Sequence, residues 1–282
     1  MTGDDFDLLC RLLKERSGLV LTRDKAYLLE SRLLPVARKR NMKSLDDLIT
    51  ALRGRPDNDL IRDVVEAMTT NESFFFRDIK PFDQFRNFIL PQLLKTRAAK
   101  KSIRIWSAAC SSGQEPYSLA MILSEERAKL PGWQIEIVAT DLSTEILEKA
   151  QAGVYSQFEV QRGLPIQLLV KYFKQQGERW QIDAAIRGMV RYRSLNLLED
   201  FLHVGHFDVV FCRNVLIYFD QPTKALVLER MARILPQDGY LYLGGAETVI
   251  GITDKFQSLP DQRGIYCPAL SAAAMAQKVA AV

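Results

Sequence analysis

Histidine is nearly absent from this chain: His203 and His206 are the only two among 282 residues. Their three-residue spacing could begin a metal site, but no third ligand stands near them in the sequence, so they are expected to be loop residues and no metal is expected. Cysteine is sparse as well. Cys10, Cys110, Cys212 and Cys267 are scattered without CxxC spacing, which argues against a zinc site or a disulfide framework and for reduced, mostly buried thiols. No apolar run approaches the roughly 20 residues of a membrane span. The net charge is only +4 with acids and bases interspersed, a weak basis for nucleic-acid binding. The start, Met1-Thr-Gly-Asp-Asp, is acidic and has no signal-peptide pattern, and the scattered thiols read as those of a cytoplasmic protein. What the chain does have is apolar residues, 48% of the total, enough for a sizeable core in one large or two smaller domains.

The most informative stretch runs from Ile103 to Leu123. Ile103, Ile105 and Trp106 favour a strand, Ala108 and Ala109 permit close approach, and Gly113 supplies backbone freedom in a Cys-Ser-Ser-Gly turn. Glu115-Pro116 then opens a helix. Such a strand, small-residue turn and helix N-terminus cradles a nucleotide-like ligand at the edge of a parallel sheet. The full GxGxxG pattern is missing. The next acid at a strand end, Asp141, lies further on than the roughly 20 residues of the dinucleotide fingerprint, so an NAD reading weakens. Asp141 is suited to ribose hydroxyls, though it could instead be a helix N-cap. Glu115 suits a helix N-terminus electrostatically and could equally meet a ligand ammonium group.

The chain before residue 70 shows only helical patterns: four helices, near 7–17, 24–40, 44–54 and 59–68. From residue 103 strands and helices alternate, through strands near 135–140, 207–212 and 240–243, predicting a doubly wound, mostly parallel α/β sheet. The short alternating pieces of 179–194 predict a small antiparallel β insert at about 176–195. The expected organisation is a helical N-terminal domain over 1–68, a linker over 69–86 and a ligand-binding domain over 87–282. The alanine-rich tail from Ser271 suggests disorder.

Other residues attract notice by position. Arg213 and Asn214 follow the buried strand Val209–Cys212 and should face a pocket, while Tyr218, four residues beyond Asn214, is by itself a core or rim residue. Phe74-Phe75-Phe76 could anchor two domains, and Arg77 beside them could guide an anion. Arg32, Arg38, Lys39, Arg40 and Lys43 form a run without acids that is either a solvated face or a dock for an acidic helix.

Taken in order, Thr69-Thr-Asn-Glu-Ser-Phe-Phe-Phe-Arg-Asp78, Trp106-Ser-Ala-Ala-Cys-Ser-Ser-Gly-Gln-Glu-Pro-Tyr-Ser118, Ala139-Thr-Asp141, Leu195-Asn-Leu-Leu198 and Cys212-Arg-Asn-Val-Leu-Ile-Tyr-Phe219 resemble the chemotaxis receptor methyltransferases, the CheR family. The resemblance covers nearly the whole chain. It implies an S-adenosylmethionine-dependent, Rossmann-like enzyme that leaves S-adenosylhomocysteine and esterifies glutamate side chains on chemoreceptors, adapting chemotaxis signalling. Carried over by position, Asn71, Ser73, Arg77, Glu115, Asp141, Asn196, Leu197, Arg213 and Asn214 would form the cofactor site. Arg77 and Tyr218 would serve the transfer, and Arg32, Arg38 and Arg40 would meet the receptor methylation helices. A glutamate carboxylate ordinarily titrates near pH ~4.3, so it is already ionised near neutral pH and needs no general base; the scarcity of histidine is no obstacle. Two features depart from the family pattern. The connection from Tyr172-Phe173 to Trp180 is short and lacks a Gly-x-Gly loop, so binding of a receptor tail pentapeptide is expected to be weak or absent. Ala246-Glu247-Thr248 stands where the family has Ser-Glu-Asn, so no site role is expected there. No nucleic acid partner, no membrane insertion and a monomeric state complete the expectation. A methyltransferase acting on a small molecule or nucleic acid, and a non-catalytic sensor of the cofactor, are the rival readings.

Overall fold

The computed structural model describes residues 1–269; the alanine-rich tail lies outside the described residues. The chain opens with helices α1 (Gly3–Ser17), α2 (Ala26–Lys39), α3 (Leu45–Arg53) and α4 (Asn58–Met68). The first starts earlier than its apolar periodicity because Thr2 and Asp5 form a capping box, and it stops where Gly18 turns left-handed at φ 76°. Ser44 with Asp47 and the lone Asp57 start α3 and α4 in the same way. Leu9, Leu13, Leu29, Leu33, Leu48 and Val64 close a core between these helices, and Leu142 from the rest of the chain packs against it.

A continuous helical rod follows: α5 (Lys80–Gln84), a π turn over Phe85–Ile89, and α6 (Leu90–Thr96). Alternation then sets in as the pattern predicts: β1 (Ser102–Ala108), α7 (Gln114–Glu125), β2 (Gln134–Asp141), α8 (Thr144–Ala152), β3 (Val154–Ser156), α9 (Gln157–Gln161), α10 (Ile166–Tyr172), β4 (Phe173–Gln176), β5 (Arg179–Ile182), α11 (Ala184–Arg187), β6 (Val190–Ser194), β7 (Val209–Cys212), α12 (Gln221–Ile234), β8 (Tyr240–Leu243), β9 (Phe256–Ser258) and β10 (Ile265–Pro268). The main sheet has seven strands in the order β6-β2-β1-β7-β8-β10-β9. Its first five run parallel, β10 pairs antiparallel with β8, and β9 pairs antiparallel with β10. Successive residues point to opposite faces. Ile105, Ile137 and Phe211 therefore enter one core, and Trp106, Val138 and Val210 enter the other.

The insert differs from expectation. The antiparallel sheet is β3-β5-β4, so it begins at Val154, and of the expected segment only Gln176 and Arg179–Ile182 are strand residues of it. Val190–Ser194 instead joins the main sheet, parallel to β2, with Val190 opposite Ile137 and Ser194 opposite Asp141. Alternating apolar residues specify a strand but not the sheet it enters; the partner is chosen by the apolar edge that β2 leaves open.

The chain moves outward from β1 through β2 to β6, then crosses to β7 on the other side. That switch point lies between β1 and β7, and a crevice opens there beyond the carboxyl ends of the strands.

Candidate active site

The crevice is a cleft where the linker, the β1–α7 turn and the segments that follow β2, β6 and β7 converge. Its floor is the turn between β1 and α7. Ala109, Ser111 and Gly113 all adopt positive φ, at 57°, 52° and 92°. For alanine and serine this conformation carries strain, of the kind that concentrates at functional sites. At Gly113 a Cβ atom would also lie 2.8 Å from the Tyr192 hydroxyl oxygen, so the position accepts nothing larger.

Asp141 ends β2 beside that turn. Its Oδ2 accepts from Ser111 N at 2.9 Å and its Oδ1 from Ser143 N at 3.1 Å. Ser143, not Asp141, caps α8. Burial pushes the Asp141 carboxyl above its ordinary value, against the lowering effect of these backbone N–H groups; the nearby Glu66 carboxylate adds to the rise. Burial likewise pushes the Cys110 thiol well up, which makes it an unreactive packing group.

Glu115 lies in the first turn of α7, where its carboxylate accepts from the Ser107 hydroxyl at 2.8 Å and from Arg213 Nη1 at 2.9 Å. Arg213 is the hub of the cleft wall. Its side chain is 1% exposed; Nη2 donates to Asp78 Oδ2 at 2.7 Å and to the Arg77 carbonyl at 2.9 Å. It therefore fixes the β1–α7 turn to the linker that carries Asn71, Ser73 and Arg77. Ser111 Oγ, donating to the Asn71 carbonyl at 2.8 Å, makes a second tie. Of the three phenylalanines, Phe75 packs edge-on against Tyr155 and Phe173, and Phe76 against Phe82, so both belong to the core of the α/β part and do not anchor the two domains to each other. Phe74 is half-buried and meets arginine instead.

The opposite wall carries Leu197, Asn214 and Tyr218. Asn214 has φ 59°, and its buried Oδ1 has no hydrogen-bond partner among the described residues. Asn196 is occupied otherwise: its amide donates to the Arg16 carbonyl at 2.7 Å and accepts from Leu198 N at 3.0 Å, holding the end of α1 on the cleft rim. Val20 N donating to the Tyr218 carbonyl strengthens that contact, and Ser17 and Leu19 complete the wall. The helical domain thus closes the cleft, which no local pattern in its sequence could announce.

Glu247 corrects an expectation. Its carboxylate accepts from Asn214 N, Val215 N, Ile217 N and Gly244 N, at 2.7 to 3.3 Å, so it holds the loop that presents Asn214 and Tyr218. The available signal was an acid just beyond the strand end at Leu243.

The three arginines expected at the receptor surface divide. Arg32 donates to the Met68 and Thr69 carbonyls and Thr70 Oγ1, bracing the start of the linker. Arg40 pairs with Asp63 and Asp57. Both therefore have structural work that a charge count could not foresee. Arg38 is exposed and has no ion pair among the described residues.

Every residue expected at the cofactor or the transferred methyl lines this one cleft. Its chemistry suits a ligand that offers donors to a carboxylate and an amide oxygen and an aromatic face to Leu19, Leu142, Val215 and Phe219. S-adenosylmethionine, with ribose hydroxyls, an ammonium group and adenine, fits that set. Among the described residues no group of three or more His, Cys, Asp or Glu side chains could hold a metal, and no helix is long and apolar enough to cross a membrane.

Comparison with known proteins places this cleft in context. Residues 71–265 match the family described as CheR methyltransferase, SAM binding domain, and residues 4–69 match CheR methyltransferase, all-alpha domain. The chain is 40% identical over 269 residues to chemotaxis protein methyltransferase Cher2 of Pseudomonas putida, covering 94% of this chain and 98% of that one. It is 42% identical over 265 residues to chemotaxis protein methyltransferase 1 of Pseudomonas aeruginosa, covering 93% and 96%. The corresponding protein of Vibrio cholerae is 41% identical over 268 residues, covering 94% and 96%.

Proposed function

The chain belongs to the CheR methyltransferase family, and from that premise we propose that it transfers the methyl group of S-adenosylmethionine to glutamate side chains of chemoreceptors, working as a cytoplasmic monomer. The observation that carries the reading is the cleft itself, where the buried Asp141 carboxylate and the unused Asn214 Oδ1 line one pocket together with Arg77 and Tyr218.

In this reading S-adenosylmethionine supplies a methyl group on a cationic sulfur. Asp141 holds the ribose hydroxyls and Asn214 Oδ1 accepts from the ammonium end. Leu197 and its apolar neighbours cover the base and exclude water. Glu115 and Arg213 do not grip the ligand by their charges, which neutralise each other; they keep the turn and the linker at a fixed separation. Asn71, Ser73 and Arg77 then line the methionine and acceptor side. The acceptor glutamate arrives ionised. Arg77 attracts its carboxylate and Tyr218 orients it, so catalysis is chiefly alignment of the two reactants.

The direct test is incubation with radiolabelled S-adenosylmethionine and receptor-containing membranes. Alkali-labile label on a receptor-sized band is the expected result, and its absence refutes the reading. Arg77→Ala is expected to lower transfer about 100-fold, the order by which misplaced reactants slow an orientation-dependent step; near-normal transfer by that variant would remove Arg77 from the mechanism.

Receptor docking is assigned to the basic face of α2, now centred on Arg38 rather than on Arg32 and Arg40. An exposed contact of this kind is screened by salt. Initial rates should decline as sodium chloride rises from 0.05 to 0.5 M on the order of several-fold, and a flat profile argues for an apolar dock. Tail-peptide binding is proposed to be absent: β4 and β5 are joined by the two-residue Gly177-Glu178 turn, which leaves no loop to clasp a peptide. Calorimetry against an aromatic, acidic pentapeptide should show no micromolar binding.

A further inference from the structure

We propose that Arg162 is a second acceptor-binding residue, and that Glu72 occupies it as an internal stand-in until a receptor glutamate replaces it. The proposal rests on the glutamyl methyltransferase reading and extends it to how the acceptor carboxylate is recognised.

The observation is the arrangement around Phe74. The Arg162 guanidinium lies 4.4 Å from the centre of its ring and the Arg77 guanidinium 5.6 Å. Two cations therefore converge on one aromatic side chain, next to the cleft that Arg77 lines. Arg77 Nη1 donates to the Glu72 carbonyl at 2.9 Å, while Arg162 Nη2 donates to Glu72 Oε1 at 2.8 Å. Glu72 itself lines the cleft. The group on Arg162 is thus a glutamate carboxylate, the same chemical group as the substrate, beside the arginine proposed to receive the substrate.

The pair is built to exchange. Its side chains are 40% and 63% exposed, and ion pairs in that setting contribute little to stability. Arg162 is nonetheless well placed. Gly163 follows it with φ +82°, and a Cβ there would lie 2.1 Å from the Phe75 carbonyl oxygen and 3.1 Å from the Phe74 ring. Only glycine lets this loop lie so close to the linker, and that contact holds Arg162 against Phe74. An incoming carboxylate that takes the place of Glu72 finds a planar fork suited to two parallel hydrogen bonds, with Arg77 across the ring. Glu72 neutralises one of the two cations at Phe74, and the other, Arg77, has no ion pair among the described residues and remains available to an anionic acceptor.

The two partners must then affect the receptor KM in opposite directions. With the full-length enzyme, labelled cofactor and receptor membranes, Arg162→Ala is expected to raise the receptor KM roughly five- to tenfold, as for loss of one charge-assisted hydrogen bond. Its S-adenosylmethionine Kd by calorimetry should stay within about twofold of wild type. Arg162→Lys should restore part of the loss, because an ammonium keeps the charge without the fork. Glu72→Gln should lower the receptor KM about two- to threefold by removing the internal competitor. An unchanged KM in Arg162→Ala, or a rise in Glu72→Gln that parallels it, overturns the proposal and leaves an ordinary structural ion pair. If the wild-type enzyme places no alkali-labile label on receptor, the methyltransferase reading itself fails, and this proposal with it.

Discussion

Arg213→Ala is expected to lower the unfolding temperature by on the order of 10 °C and to abolish cofactor binding. The guanidinium is buried and joins three groups from two distant parts of the chain: Glu115 on α7, and Asp78 and the Arg77 carbonyl in the linker. Alanine leaves Glu115 in the interior with only the Ser107 hydroxyl as partner. Removing one member of a buried pair costs about 3–5 kcal/mol, and each kcal/mol is about 2–4 °C for a domain of this size. Thermal melting followed by circular dichroism measures the first effect and calorimetry the second. A double variant, Arg213→Met with Glu115→Gln, discriminates further. With no charge stranded it should recover much of the stability, yet it should remain unable to transfer methyl groups, because the linker is no longer fastened to the turn. Recovery of both properties would show that Arg213 merely neutralises Glu115.

Asp141→Asn is expected to weaken S-adenosylmethionine binding about 100-fold while the protein stays folded. Each hydrogen bond to a charged acceptor contributes about 1.5–3 kcal/mol, and two decades of affinity correspond to about 2.7 kcal/mol. Stability should change little, because two effects oppose. The amide removes a buried charge, whose cost the raised carboxyl pKa expresses, but its NH₂ group cannot accept from both Ser111 N and Ser143 N. The sign of the pH dependence follows. Because the folded-state pKa is raised, the contribution of Asp141 to stability is full below the ordinary carboxylate value of 3.8 and is lost as pH rises through the elevated one. The ligand reverses this, since the ionised carboxylate accepts more strongly, and with both oxygens, from the ribose hydroxyls than the protonated form does. Affinity should therefore fall on acidification, beginning above the range of an ordinary aspartate, and Asp141→Asn should show no such decline. Calorimetric titration across pH tests both; an identical pH profile in the variant would place the ribose elsewhere.

The fold and the cleft were unevenly legible in the sequence. The strand, turn and helix from Ile103 onward carry local signals of period, proline placement and glycine, so β1, α7 and the left-handed Gly113 follow from neighbours in the chain. Asp141 was legible for the same reason, as an acid that ends an apolar strand. Arg32 and Arg40 were misplaced because their partners lie 20 or more residues away, at Met68, Thr69 and Asp63, and a run of cations looks solvated until those partners are known. Glu247 was passed over because its role is to accept from a loop some 30 residues earlier, a contact that exists only once β7 and β8 lie side by side. Val190–Ser194 had the pattern of a strand, but the choice between two sheets depended on which edge was open.

The sequence alone therefore determined the local elements, the helical and α/β halves, the kind of ligand the β1–α7 turn can cradle and, by the order of its motifs, the family. Those properties rest on interactions within one turn or one strand, and each residue carries them unaided. Tertiary structure alone decided which charges are spent and which remain free. It bound Arg213 between Glu115 and Asp78, closed the cleft with the end of α1, and left Asn214 Oδ1 unpaired beside it. It also set Arg162 and Glu72 together across Phe74. The physical reason is that a charge or a donor acquires its meaning from its partner, and in this protein the partners are far apart in the chain.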